Sequence, residues 1–255
     1  MSKLQALIFD VDGTLADTER DGHRVAFNRA FADAGLDWEW SVERYGELLA
    51  VTGGKERIQQ YLTTDHPAFE PPGDRREWIA GLHKAKTAHY TQLIEENVVP
   101  LRPGVKRLLQ EARDAGLRLA IATTTTPANV TALLQTALGA DSLDWFEVIA
   151  AGDIVPAKKP APDIYHYALN ALQLEPTVCL AFEDSEAGLQ SAKWANLQTV
   201  ITVNGYTQAQ DFTGAALVLD HLGEPTLPFQ VLAGTANGAT LFDLQLADYL
   251  QAQIP

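Results

Sequence analysis

Five short apolar runs, separated by amphipathic stretches or a longer helical interval, constrain this chain more than any other feature. They are Leu4 to Phe9, Leu117 to Ala122, Glu147 to Ala151, Val178 to Phe182 and Thr199 to Val203. Between these runs, Gly104 to Ala115, Ala128 to Leu138, Ala161 to Leu172 and Ala187 to Ala195 carry helical periodicity. Alternating strands and helices predict an α/β fold: a Rossmann-like, doubly wound parallel sheet with helices on both faces.

One interval breaks the alternation. From Asp17 to Val98 the sequence shows helical periodicity only, with Pro/Gly punctuation around His66 to Gly73 and a long helical pattern from Trp78 to Glu95. We read it as a helical cap, residues 17–99, inserted into a core made of residues 1–16 and 100–220. Insertions into loops of such scaffolds commonly carry specificity. Residues 221–255 form a tail with a terminal helix expected over Thr240 to Gln251.

Composition excludes several classes. Hydrophobic residues make up 46% of the 255-residue chain and charged residues 20%, enough for a sizeable core and against general disorder. The net charge of -14 argues against nucleic-acid binding, whose footprint is basic. Cys179, the single cysteine, lies in the apolar run Thr177 to Phe182 and is expected as a buried small hydrophobe. No apolar stretch reaches transmembrane length, and the chain enters a strand almost at once, so neither a membrane partner nor a signal or transit peptide is expected. The expected location is the cytoplasm, or the chloroplast stroma for a mature plastid protein.

Four polar groups fall at or just after the ends of proposed strands, where open α/β sheets place their sites. The first is Asp10-Val-Asp12-Gly-Thr14, in which residues two apart on an extended chain share a side. Paired acids raise each other's pKa unless a cation lies between them; a solvated turn would use the same residue types. The second is Thr123, followed by Thr124 to Thr126. Thr123 could cap the next helix, but Pro127 suits the first helical position and makes Thr126 the better N-cap. The third is Lys158-Lys159-Pro160 with Asp163 opening a helix, where Asp163 favours the helix dipole. The fourth is Glu183-Asp184-Ser185.

In these four motifs, from Leu4 to about Val203, the chain resembles the haloacid dehalogenase (HAD) superfamily, in the branch of β-phosphoglucomutase and the CbbY-type sugar-phosphate phosphatases. The stretches TGGKERI (Thr52 to Ile58), HKAK (His83 to Lys86), VIAAGD (Val148 to Asp153) and KKPAPDIY (Lys158 to Tyr165) resemble the CbbY type most closely. The resemblance implies the HAD fold with a C1-type cap and a phosphatase that works through an aspartyl-phosphate. It makes Asp10 the nucleophile and Asp12 the general acid and then base. Thr123 and Lys159 would hold phosphoryl oxygens, with Lys158 left solvated. The implied cofactor is Mg²⁺, which suits oxygen donors: the Asp10 carboxylate, the Asp12 carbonyl and Asp184, with Glu183 as a further ligand or as an acceptor behind them.

The substrate implied is a small sugar phosphate, foremost xylulose-1,5-bisphosphate, a by-product that inhibits Rubisco and so belongs beside the Calvin cycle. A bisphosphate needs a second cationic pocket, for which Lys55, Arg57 and Lys86 are candidates, with Gly53 and Gly54 offering backbone N–H groups and Thr124 beside them. Solvated helix-face charges are the alternative for these cations. Asp17 and Glu19 sit at the hinge, where the family often carries Glu in place of Asp17. His23 and Tyr45 are candidates that packing would explain equally well. Lys84 cannot share the helix face of Lys86. The segments near Ala16 and Pro100 are expected to hinge the cap, and the chain is expected as a monomer. A phosphomutase returning the phosphate to sugar would use the same Asp10 and Asp12. A non-enzymatic HAD-fold binding protein would be favoured by loss of a motif residue, and none is lost.

Overall fold

The computed structural model describes residues 4–96 and 99–253. The expected end of the helical interval at Val98, and the outermost residues 1–3 and 254–255 of the expected core and tail, lie outside the described residues. Seven strands form one sheet: β1 (Ala6–Phe9), β2 (Arg118–Thr123), β3 (Val148–Ala151), β4 (Cys179–Glu183), β5 (Gln198–Thr202), β6 (Leu217–Leu219) and β7 (Val231–Gly234), in the order β3-β2-β1-β4-β5-β6-β7. Every neighbouring pair is parallel except β6–β7. β1 is central, with Phe9 opposite Ile121 of β2 and Phe182 of β4. That register brings the chain just past Phe9, the end of β2 and the end of β4 to one edge.

Between β1 and β2 the regular elements are helical. A π-helical turn, Glu19–His23, leads into α1 (Arg24–Asp33), followed by α2 (Val42–Leu48), α3 (Gly54–Thr64) and α4 (Arg75–Glu95). These helices enclose an aromatic core in which Phe31 meets Trp40 edge-on at 4.9 Å and Trp40 meets Tyr61 at 5.3 Å. α4 starts three residues before the expected Trp78, because the Asp74 side chain caps it, accepting from the N–H groups of Arg76 and Glu77. Ile79 and Leu82 of α4 pack in the aromatic core, whereas Tyr90, Leu93 and Ile94 pack in the core of the sheet. One helix therefore joins the two.

The alternation of β1 divides the sheet's faces. Leu7 and Phe9 join one core with side chains of α5 (Val105–Asp114) and α6 (Pro127–Leu138). Ala6 and Ile8 join the other, under α7 (Asp163–Leu172) and α8 (Glu186–Trp194). Thr126 is the N-cap of α6, as expected, but its side chain makes no capping bond. Cys179 is a buried free thiol.

The tail holds more order than its sequence pattern suggests. β6 has three residues and β7 is exposed throughout, so neither shows alternation. The terminal helix α9 (Leu244–Gln251) starts four residues later than expected, capped by Asp243, whose carboxylate accepts from Leu246 N at 2.8 Å. Phe242 is fully buried and meets Phe182 edge-on at 5.2 Å. Among the described residues no helix is long and apolar enough to cross a membrane.

Candidate active site

The parallel register sets the floor of the site. Asp10 follows β1, Thr123 ends β2, and Glu183 ends β4 with Asp184 after it, all of them buried. Lys159 reaches in from the loop before α7. Its Nζ donates to Asp10 Oδ1 at 2.7 Å, to Glu183 Oε1 at 2.5 Å and to the Ala122 carbonyl at 2.9 Å. The Tyr165 hydroxyl donates to the same Glu183 oxygen at 2.5 Å, and Asn204 Nδ2 donates to Asp184 Oδ2 at 2.7 Å.

Backbone approach is close here. Gly13 has φ +84°, and a Cβ on it would stand 2.2 Å from Asp184 Oδ2. A Cβ on Gly188 would stand 1.9 Å from Glu183 Oε2, so α8 presses directly on that carboxylate. Arg102 fixes the loop from behind: buried, it donates to the carbonyls of Gly13, Thr202, Val203 and Asp220.

Three carboxylates, those of Asp10, Glu183 and Asp184, place oxygens within 4.8 Å of one another with one lysine among them. Burial, partly offset by Lys159, pushes Asp10 up to about 7. Burial, with Asp10 and Glu183 adding repulsion, holds Asp184 well above the usual carboxylate range. Glu183 Oε2 is buried with no partner. An all-oxygen set carrying this excess of negative charge fits a hard divalent cation.

Asp12 faces the helical side. It accepts from Thr18 Oγ1 at 2.5 Å and from His23 Nε2 at 2.9 Å, while Lys86 Nζ meets His23 Nδ1 at 2.7 Å. A ring that accepts from lysine at Nδ1 donates to the carboxylate from Nε2. Burial pushes Asp12 up, but His23, Thr18 and Lys86 together outweigh it and hold Asp12 below the usual range. Burial also lowers the Lys86 ammonium to about 8. His23, which stacks on Tyr90 at 4.2 Å, is thus part of the constellation as well as of the packing.

The floor opens into two lobes, of about 490 and about 470 Å³. Asp12, Glu19, Gly53, Arg57 and Thr124 line both, which makes them one cleft. The first lobe lies over Asp10, Thr123, Lys159, Glu183 and Asp184; the second is walled by Gly54, Lys55, His83, Lys86 and Lys158.

The candidate cations are all engaged. Lys55 pairs with Asp153. Arg57 donates to the carbonyls of Leu48 and Val51 and, at 2.8 Å, to the Tyr45 hydroxyl, which in turn donates to Glu19. Tyr45 is fully buried and does not line either lobe; it steadies Glu19. Asp17 also stands outside both lobes, mostly exposed, with its carboxylate 3.3 Å from Arg102 Nε. Glu19, two residues on, enters the cleft instead. Lys158, expected to be solvated, is corrected: its side chain is 15% exposed and meets Asp153 at 3.0 Å and Glu56 at 3.3 Å. Lys84 is exposed, apart from Lys86. Sequence reading missed Thr18, Tyr165 and Asn204. Asn204 stands just past β5, where the strand-end rule could have found it.

The family described as "haloacid dehalogenase-like hydrolase" matches residues 4–196. The plasmid-encoded protein CbbY of Cupriavidus necator is 49% identical, over 92% of each chain. CbbY of Rhodobacter capsulatus is 54% identical, over 84% of this chain and 91% of its own. A crystal structure of a CbbY variant from Rhodobacter sphaeroides in complex with xylulose-(1,5)bisphosphate superposes with a TM-score of 0.80 at 45% identity, over 88% of this chain and 98% of that one. The chain belongs to the haloacid dehalogenase-like hydrolases and, with CbbY and phosphatase relatives over most of its length, is a phosphatase.

Proposed function

We propose that the protein hydrolyses xylulose-1,5-bisphosphate to xylulose 5-phosphate and inorganic phosphate, with Asp10 as nucleophile and Mg²⁺ as cofactor. The observation that carries the reaction is the buried set at the strand ends, where one lysine faces three carboxylates. Mg²⁺ would be held by the Asp10 and Asp184 carboxylates and the Asp12 carbonyl, where it would neutralise charge on the phosphoryl oxygens.

The chain's own groups divide the work. Asp10 attacks phosphorus and the sugar oxygen leaves, taking a proton from Asp12. Lys159 keeps the attacking carboxylate in place and offsets its charge, and the Thr123 hydroxyl holds a phosphoryl oxygen. In the second step Asp12 takes a proton from water, whose oxygen displaces Asp10 from phosphorus and restores both groups. Thr18 and His23 hold Asp12 ionised while the cleft is free of substrate, so it takes up a proton from solvent as the substrate binds, gives that proton to the sugar oxygen, and is ionised again to accept the proton of water.

The cap, residues 17–99, serves as a lid that excludes water from the first step and hinges near Ala16 and Pro100. The two-lobed cleft supports a substrate with a phosphate at each end, as does the ligand in the R. sphaeroides structure. The test is Mg²⁺-dependent phosphate release from xylulose-1,5-bisphosphate, ribulose-1,5-bisphosphate, xylulose 5-phosphate, fructose-1,6-bisphosphate and β-glucose 1-phosphate. Preference for the first supports the reading, whereas isomerised sugar phosphate without inorganic phosphate would make the enzyme a mutase.

A further inference from the structure

The basic wall of the cleft carries its own anion. Asp153, two residues past β3, offers one carboxylate oxygen to Lys55 of α3 and the other to Lys158, 3.0 Å away. Lys158 also meets Glu56 Oε2 at 3.3 Å, which completes an alternating chain of two cations and two anions across the join between the helices and the sheet. Lys55, Asp153 and Lys158 all line the second lobe of the cleft. A Cβ on Gly53 would stand 2.3 Å from Glu56 Oε2 and 3.0 Å from Lys158 Cδ, so the backbone of the lobe is folded tightly around this cluster.

We propose that Asp153 is an internal competitor for the far end of the substrate: its carboxylate occupies Lys55 and Lys158 until a phosphoryl group displaces it. This rests on the sugar-bisphosphate reading given above. The hydrogen bonds from Lys55, opposed by burial and reinforced by Lys158, hold Asp153 down to about 2, so it is anionic throughout the working range. Its side chain is 58% exposed, and pairs in that setting are screened and weak. A phosphate monoester brings nearly twice the charge and three acceptor oxygens. It wins the exchange; a hydroxyl at the same end of the sugar does not. Asp153 thereby stays paired with both lysines when the substrate lacks a second phosphate. It also sets back the affinity for those that have it.

Wild type, Asp153→Asn and Lys55→Met would be assayed on xylulose-1,5-bisphosphate and xylulose 1-phosphate, with thermal unfolding as the check on folding. In Asp153→Asn the KM for the bisphosphate should fall and the bisphosphate-to-monophosphate ratio of kcat/KM should rise about fivefold, the upper scale of an exposed ion pair. Lys55→Met should move that ratio the other way. An unchanged ratio in Asp153→Asn, or a raised KM for the bisphosphate, would overturn the proposal and make Asp153 a residue that orients the lysines. Wild type that releases phosphate from neither sugar would instead overturn the functional reading itself.

Discussion

On the floor of the cleft, Asp10, Thr123, Glu183 and Asp184 stand at or just past the ends of hydrogen-bonded parallel strands; on its wall, Lys55, Arg57, His83 and Lys86 reach in from helices on long side chains. The floor is placed by backbone register, and its groups have almost no freedom. The wall is placed by side-chain pairing, with each cation already engaged by an oxygen, a ring or another side chain. In the proposed function, chemistry that must be identical for every phosphate ester is assigned to the floor, and recognition that differs between sugars to the wall, where pairs can be exchanged.

The largest effects should come from the floor. Asp10→Asn should lower phosphate release about 10³-fold or more, as removal of a nucleophile does. Chelation of divalent cations should abolish release just as completely, and substantial turnover in either condition would remove the proposed mechanism. Gly188→Ala should show how tightly the floor is built. Alanine normally stabilises a helix over glycine, but here the added methyl meets the buried Glu183 carboxylate. A loss of about 1 to 3 kcal/mol is expected, the usual cost of overpacking, and a stabilised variant in chemical denaturation would break the contrast with the wall.

Wall residues should act more mildly. Lys86 is charged below about 8, so its contribution to anion binding should fade as pH rises through that value. Lys86→Met should raise the KM about tenfold at pH 7, near the 1.4 kcal/mol of one charge-assisted contact, and should flatten the rise of KM with pH. The smallest effect concerns stability. Burial, with nearby Lys86, Lys55, His23 and Lys158, lowers His83 to about 3. The unfolded chain therefore binds a proton near pH 6.5 that the folded chain refuses until about 3, so stability rises with pH across that window. Acidifying from pH 7.5 to 6.0 should cost about 0.8 kcal/mol in wild type and less in His83→Gln.

The same contrast governs what could be read in the chain. Asp10, Thr123, Lys159, Glu183 and Asp184 were legible because each follows an apolar run at short spacing, and the register of the sheet does the rest. Tyr165 lies inside a recognised motif, yet its hydroxyl is turned inward to Glu183, where helical periodicity places only apolar groups. Thr18 was obscured because it directly precedes the π-helical turn Glu19–His23, which alters the phase that a 3.6-residue period assumes; His23, in that turn, was a candidate that packing explained equally well. The partners of Lys158 escaped for a simpler reason: Glu56 is 102 residues away in sequence, and exposed ion pairs leave no pattern. β6 and β7 were missed because one is too short and the other too exposed to alternate.

The central place of β1 also orders events in time. β1 cannot be paired until β2 and β4 exist, and Lys159 meets Asp10 across 149 residues of chain. Closing loops of that length before any contact rewards them makes such sheets slow to assemble. During synthesis the aspartate-bearing strand waits, apolar on both faces, while the helices of residues 24–95 can already collapse around their own aromatic core. The Phe182 ring beside it gains its edge-on contact with Phe242 from beyond the last residue matched by the family. The carboxylate proposed as nucleophile thus meets its lysine only once the chain has been made through residue 159.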